Sequence, residues 1–305
     1  PAMSRGDLST GDIGLFTTYA TAVASLPRVT ARWSTFQRQG DVSAARLGRL
    51  MPDHDPDQAS GAVPTFLRDG PPPFTTVTPS VPATRAGVER LTSLRVEGLR
   101  VRLDDTDQLD GVDLEVHRGQ FVVITGPVGS GKSVLLRALL GLVPRTGGTV
   151  WWNDAEVVDP ATFLVPPRAA YLPQVPRLFS ESLADTVLLG HDPAGLPAAL
   201  EQARLVEDLT DMPHGLDTTV GPKGVRLSGG QIQRTAAARA LVRTPEMLVV
   251  DDLSSALDVA TESEIWDGLF APDAAALTVL AVSHRPRVLE RADQVIELRD
   301  GRRTA

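Results

Sequence analysis

Residues 121 to 142 constrain the fold of this chain more than any other stretch. Phe121–Thr125 (FVVIT) is an unbroken apolar run of strand length. GPVGSGKS (Gly126–Ser133) follows at once, and an apolar, helix-compatible stretch runs from Lys132 to Leu142. A strand, a glycine-rich loop and a helix in that order form a narrow class of local structure. Gly129 and Gly131 let successive N–H groups turn inward, so Gly126, Val128, Gly129, Ser130 and Gly131 form a nest for anionic oxygens. The helix that starts at Lys132 adds its positive dipole end. Lys132 supplies a mobile charge for the β- and γ-phosphates of a nucleotide, and the Ser133 hydroxyl is a ligand for Mg²⁺. A chance glycine turn before a buried helix would read similarly; the flanking strand and helix weigh against it.

The remaining composition narrows the class. The chain has 305 residues, room for roughly two domains. Apolar residues make up 42% and charged residues 22%, enough to bury a large core. The lack of cysteine excludes a disulfide scaffold, thiolate metal sites and cysteine nucleophiles. A net charge of −8 argues against nucleic acid as the main partner. Of 30 basic residues only two are lysines, Lys132 and Lys223. An arginine-rich genome explains the bias, yet one of the two sits in the phosphate loop, where a slender ammonium suits the chemistry better than a planar guanidinium. Lys223 reads as a solvated loop charge.

Three regions separate by composition. Residues 1–51 run from an uncharged stretch, Ile13–Pro27, into an arginine-rich, helix-compatible one with Arg28, Arg32, Arg38, Arg46 and Arg49. By length alone Ile13–Pro27 predicts a buried or interfacial helix. Residues 52–91 hold eight prolines and no apolar periodicity, which predicts a linker. From residue 92 onward, strand-length apolar runs alternate with helical patterns, as in an α/β domain. Strands are expected at Ser93–Val96, Gly111–Val116, Phe121–Thr125, Met247–Asp251, Thr278–Ser283 and Gln294–Leu298. Asp300-Gly301 predicts a final hairpin. Trp151 and Trp152 are expected to pack on a small antiparallel sheet.

Two further segments carry chemistry. MLVVDD ends a buried strand with Asp251, the carboxylate a neighbouring Mg²⁺ requires, followed by Asp252. An aspartate pair after a strand also serves as a turn and helix cap, and it is the phosphate loop that favours the metal reading. LSGGQ (Leu227–Gln231) opens a helix expected to reach Val242. Ser228, Gly229, Gly230 and Gln231 there make a second anion site at a helix start. Two phosphate-binding helix starts and one complete phosphate loop fit a two-fold dimer, in which each chain's second site closes over its partner's nucleotide.

GPVGSGKS, YLPQ with Gln174, LSGGQIQR, MLVVDD, SALD (Ser255–Asp258) and the Ser283-His284 pair occur in one order. The chain therefore resembles the nucleotide-binding domain of an ABC transporter over residues 92–305. That resemblance implies a P-loop NTPase fold of α/β class, with a helical subdomain around residues 176–228 and a small antiparallel β subdomain. It implies ATP and Mg²⁺ as ligands. Gln174 would sense the metal and γ-phosphate, Asp258 would contact the partner chain, and His284 would stabilise the transition state. LFSESLADTVLLG and TTVGPKGVRLSGG resemble exporter-type members. Residues 1–51 are similar to an exporter's last transmembrane helix and its cytoplasmic extension, which overrides the length-based reading of Ile13–Pro27. The arginines lie where the positive-inside tendency expects them. With five preceding helices missing and no initiator methionine, the chain reads as a fragment of a half-transporter. The resemblance places it at the cell membrane, touching lipid through its first helix, with a cytoplasmic nucleotide-binding domain. The transported substrate is not legible.

Two positions depart from the family pattern. Asp252 stands where a glutamate usually orients the attacking water, and one methylene fewer withdraws the carboxylate by about 1 Å. With LSGGQ intact, this fits a heterodimer in which this half has a slow site; a competent homodimer with an aspartate base is the alternative. A regulatory module using ATP as dimer glue and a soluble ABC ATPase are the rivals from other classes. Leu103 falls where an aromatic residue usually stacks on adenine, so apolar contact would replace stacking at a loss of ~1 kcal/mol. Alternatively the loop Asp104–Gln108 shifts register and the base packs elsewhere.

Overall fold

The structure, a computed structural model, describes residues 10–50, 89–222, 224–253, 259–270 and 277–304. Asp258, Lys223 and most of the proline-rich segment lie outside the described residues. The chain divides into two compact units, Pro1–Thr84 and Arg85–Ala305.

The first unit is described over one helix, α1 (Thr10–Leu50), which is 41 residues long and contains Pro27. Several of its hydroxyls bond within the helix: Thr17, Thr18 and Thr21 donate to the carbonyls of Ile13, Gly14 and Thr17 at 2.7–2.9 Å. Apolar side chains such as Phe16, Tyr19, Val23, Trp33 and Phe36 are exposed along it. Among the described residues no helix is long and apolar enough to cross a membrane. The stretch expected as a span, Ile13–Pro27, lies within α1. The uncharged stretch covers only ~22 Å of helix, and its threonines lower the hydropathy, whereas the hydrocarbon core is ~30 Å thick.

The second unit starts with the hairpin β1 (Ser93–Leu103) and β2 (Thr106–His117), followed by β3 (Phe121–Thr125) and α2 (Lys132–Leu139). Asp104 and Asp105 have φ of 47° and 61° and close a two-residue turn, so most of the expected loop Asp104–Gln108 is strand. The helix expected to reach Leu142 stops at Leu139. Gly141 at φ +71° ends it, with Leu142 N–H donating to Arg137 O and Gly141 N–H to Ala138 O. Then come β4 (Gly147–Trp152), β5 (Ala155–Glu156), α3 (Pro160–Phe163) and β6 (Ala169–Leu172). A run of short helices follows: α4 (Leu183–Leu188), α5 (Leu196–Gln202) and α6 (Val206–Thr210). These occupy the expected helical subdomain. The unit closes with α7 (Gly229–Leu241), β7 (Met247–Asp251), α8 (Val259–Leu269), β8 (Thr278–Val282), α9 (Pro286–Arg291), β9 (Gln294–Arg299) and β10 (Arg302–Arg303).

The strands form two sheets, a four-stranded one in the order β2-β1-β4-β5 and a six-stranded one in the order β10-β9-β3-β8-β7-β6. Strands β9, β3, β8, β7 and β6 are parallel. Parallel strands are covered on both faces, so they read as continuous apolar runs. Their side chains still alternate: Phe121 and Val123 enter one core with α4, α5, α7 and α8, while Val122 and Ile124 enter a second with β1, β2 and α2. Trp152 is buried in that second core, and the Arg95 guanidinium lies 5.2 Å from the Trp151 ring, as the structural reading of this pair expects.

Candidate functional site

The phosphate loop joins the carboxyl end of β3 to the start of α2. Gly126 adopts φ +139°, and a Cβ there would sit 2.0 Å from the Leu298 carbonyl oxygen, so the loop closes against β9 only with glycine. Ser130 and Gly131 are buried, while Val128 and Gly129 form an exposed crest. The Lys132 ammonium donates to Gly126 O at 2.8 Å and Pro127 O at 2.6 Å, with Ser130 Oγ at 3.4 Å. Burial lowers its pKa below the ordinary lysine value, against the pull of Asp252 and Asp251. The result is a partly desolvated cation held on loop carbonyls, ready to transfer its donors to a stronger acceptor.

Asp251 ends β7 and is 0% exposed. Its Oδ1 accepts from Ser133 Oγ at 2.7 Å, which brings together the two residues predicted to hold Mg²⁺. A hydroxyl and a carboxylate beside a phosphate nest are hard oxygen donors that fit Mg²⁺. Among the described residues no group of three or more His, Cys, Asp or Glu is arranged to hold a metal. The protein's share of such a site is therefore small, as suits an ion that keeps water and phosphate in its shell. Asp251 Oδ2 has its own partners, which sequence reasoning missed. Tyr171 OH donates to it at 3.0 Å, Arg137 Nη2 lies 3.5 Å away, and Arg137 Nε donates to the phenol oxygen at 3.4 Å. Burial raises the Tyr171 pKa, so its hydroxyl stays a donor. The only sequence signal was position: Tyr171 opens the YLPQ segment, and Arg137 lies one turn beyond Ser133 on α2.

Asp252, directly after β7, is half-buried at φ +42°. His284 is exposed beyond β8, and half-buried Gln174 follows β6. The loops carrying Lys132, His284, Asp252 and Gln174 thus leave the same edge of four consecutive parallel strands, the usual ligand position in an open α/β sheet. The Gln174 carbonyl accepts from Gln233 Nε2 at 2.9 Å, and Gln233 is fully buried on α7. Behind His284, Arg285 Nε lies 3.2 Å from Glu262 Oε2, while Trp266 Nε1 donates to Glu262 Oε1 at 3.3 Å. Burial raises the Glu262 pKa, with the Trp266 hydrogen bond and Arg285 opposing it.

Ser228 caps α7, whose first residues are Gly229 and Gly230. Gln231 N–H donates to Ser228 Oγ, and Ser228 N–H to Gln231 Oε1, a complete capping box. Asp208 on α6 accepts from Gln231 Nε2 and takes a bidentate pair from Arg234 at 2.6 and 2.9 Å. These bonds bind the LSGGQ segment to the helical subdomain rather than to the phosphate loop. Leu103 is half-buried, paired with Thr106 in the hairpin and packed on the second core.

Comparison with known proteins gives the same picture. Residues 109–255 match the family model described as ABC transporter. The chain is 36% identical over 232 residues to the mycobactin import ATP-binding/permease protein of Mycolicibacterium thermoresistibile, covering 73% of this chain and 40% of that protein. It is 29% identical over 304 residues to an ATM1-type heavy metal exporter of Novosphingobium aromaticivorans, covering 98% of this chain and 46% of the relative. A solved bacterial Atm1-family ABC exporter with ATP bound superposes at a TM-score of 0.67 with 27% identity, over 98% of this chain and 49% of that one. The chain thus spans less than half the length of each of these proteins.

Proposed function

Because this chain carries the nucleotide-binding domain of the ABC transporter family, we propose that it binds ATP with Mg²⁺ and hydrolyses it as one half of an exporter-type transporter. The observation that carries the reading is the joined pair Ser133–Asp251 beside Lys132 on the phosphate loop. When bound, Mg²⁺ would supply positive charge against the phosphate oxygens, and Ser133 and Asp251 would hold it. Lys132 moves its ammonium from the loop carbonyls onto those oxygens. Asp252 accepts the proton of the attacking water, and His284 steadies charge on the γ-phosphate. Gln174 joins the cation site and, through Gln233, α7. Ser228–Gln231 face a partner chain, whose phosphate loop they complete, and the family resemblance gives Asp258 a contact with the same partner. Leu103 offers the adenine an apolar edge.

The unit holding α1 is read as the end of a membrane domain running on into the cytoplasm, in contact with lipid and with other helices. Two observations support this. The alignment with a heavy metal exporter extends over nearly the whole chain, α1 included, and the hydroxyls of Thr17, Thr18 and Thr21 bond to the α1 backbone. The nucleotide-binding domain would then be cytoplasmic and the substrate a solute crossing that membrane.

Asp252 points to a slow site in a heterodimer, and it equally favours the second reading, ATP as dimer glue. A steady-state ATPase assay, run alongside equilibrium ATP binding, separates these. Lys132→Ala should abolish turnover, and retained turnover would overturn the assignment. Asp252→Glu should raise a slow basal rate on the order of a hundredfold. Robust wild-type hydrolysis that vanishes in Asp252→Asn would remove the slow-site reading in favour of a competent homodimer. ATP binding without turnover in either wild type or Asp252→Glu would favour glue.

A further inference from the structure

We propose that Tyr171 and Arg137 are positioning residues for the cation: by holding Asp251 Oδ2 they keep Oδ1 turned to Ser133 and the metal. A carboxylate torsion is broad and nearly two-fold, so a single hydrogen bond from Ser133 leaves Asp251 free to rock about its own axis. Tyr171 removes that freedom. It stands on β6, where Leu172 pairs with Val250, so its phenol reaches Asp251 from the neighbouring strand. Arg137 reaches the same oxygen from α2, four residues after Ser133 and on the same helical face. One helix thus delivers both the residue that takes Oδ1 and a residue that takes Oδ2.

The distances suit a supporting role. At 3.5 Å, Arg137 is too far for a short bidentate clasp, which would neutralise Asp251 and compete with a cation. Its closer hydrogen bond goes to the phenol oxygen, which in turn donates a hydrogen bond to Asp251. A donor chain of this kind polarises the tyrosine hydroxyl without bringing full positive charge to the carboxylate. The half-exposed Arg137 side chain can also withdraw when a divalent ion arrives.

This inference rests on the nucleotide reading above, and its test separates the two. Equilibrium binding of ATP to the full chain is measured with Mg²⁺ chelated and then across a Mg²⁺ titration, with Mn²⁺ as a second ion. Tyr171→Phe removes one oxygen and preserves the ring. It should leave metal-free ATP affinity within twofold of wild type and raise the Mg²⁺ concentration for half-maximal enhancement about tenfold, the usual scale for losing a partner of a metal ligand. Arg137→Met, at a half-exposed position, should shift it in the same direction by a smaller factor. Equal losses with and without metal would mark a merely structural role and overturn the proposal, as would an unshifted titration in both variants. A wild type that binds no ATP at any Mg²⁺ concentration would overturn the nucleotide reading, whereas ATP binding with no dependence on Mg²⁺ would overturn this inference alone.

Discussion

The Lys132 side chain is bound to the loop it serves. Its ammonium sits on two backbone carbonyls, and burial makes its charge less favourable than that of a solvated lysine. Phosphate oxygens bind the protonated form, so ligand and proton are linked. Because the pKa is lowered, the proton is lost earlier as pH rises, and ATP affinity should begin to fall below the ordinary lysine range. Titrating ATP affinity from neutral to alkaline pH checks this; a flat profile to the ordinary lysine value would contradict it. Residues such as Lys132, Ser133 and Asp251 were legible in the sequence because each lies inside a contiguous motif. Tyr171 and Arg137 were not, because they meet Asp251 only once β6 pairs with β7 and α2 lies across the sheet. Asp252 was legible as a short carboxylate but not as a residue at positive φ, a conformation that aspartate tolerates better than most side chains.

At the scale of elements, α7 is held by its first turn. Asp208 and Arg234 form a bidentate pair, each side chain only 13% exposed, and Gln231 shares the same carboxylate. Asp208→Ala would leave the guanidinium buried without its partner and should cost about 3 kcal/mol, read from the midpoint of urea unfolding. ATP-dependent association with a partner chain should weaken as well, because the LSGGQ turn loses the helix it leans on. Glu264 lies 3.7 Å from Arg234 but is largely exposed and cannot substitute. The parallel strands were readable from their apolar runs, and β3 and β7 have the expected ends. The short helices α4 to α6 were readable only as a region. None is longer than seven residues, too short to show a period; α4 and α5 rest on the packing of residues such as Leu183, Ala199 and Leu200, and α6, with no buried residue, on half-buried Leu209. The end of α2 was overextended because Leu140 and Leu142 continue the apolar pattern past the left-handed Gly141 that stops it.

Across the whole molecule, Glu262 ties α8 to the segment that carries His284. Its raised pKa means that the folded state favours the protonated carboxyl. The associated stability is complete below the ordinary glutamate value and is lost as pH rises through the raised one. Glu262→Gln should remove that part of the slope, so wild type should lose stability relative to the variant between mildly acid and neutral pH, measured by urea midpoints. Parallel curves would contradict the sign. Residues 92–305 were readable as one domain because ordered motifs punctuate them. The helix over Thr10–Leu50 was readable, but its fit to a bilayer depends on hydropathy over a longer window than Ile13–Pro27 provides. The sheet order has one more consequence. The loops of β3, β8 and β7 leave at intervals set by a strand spacing of about 4.8 Å, a distance that loop mutations cannot alter. A nucleotide laid along that edge is measured against a fixed ruler. On the proposed reading, with the β3 loop at the inner phosphates, the groups carried beyond β8 and β7 lie where a further phosphate would reach, so telling triphosphate from diphosphate would follow from backbone geometry more than from recognition of the base.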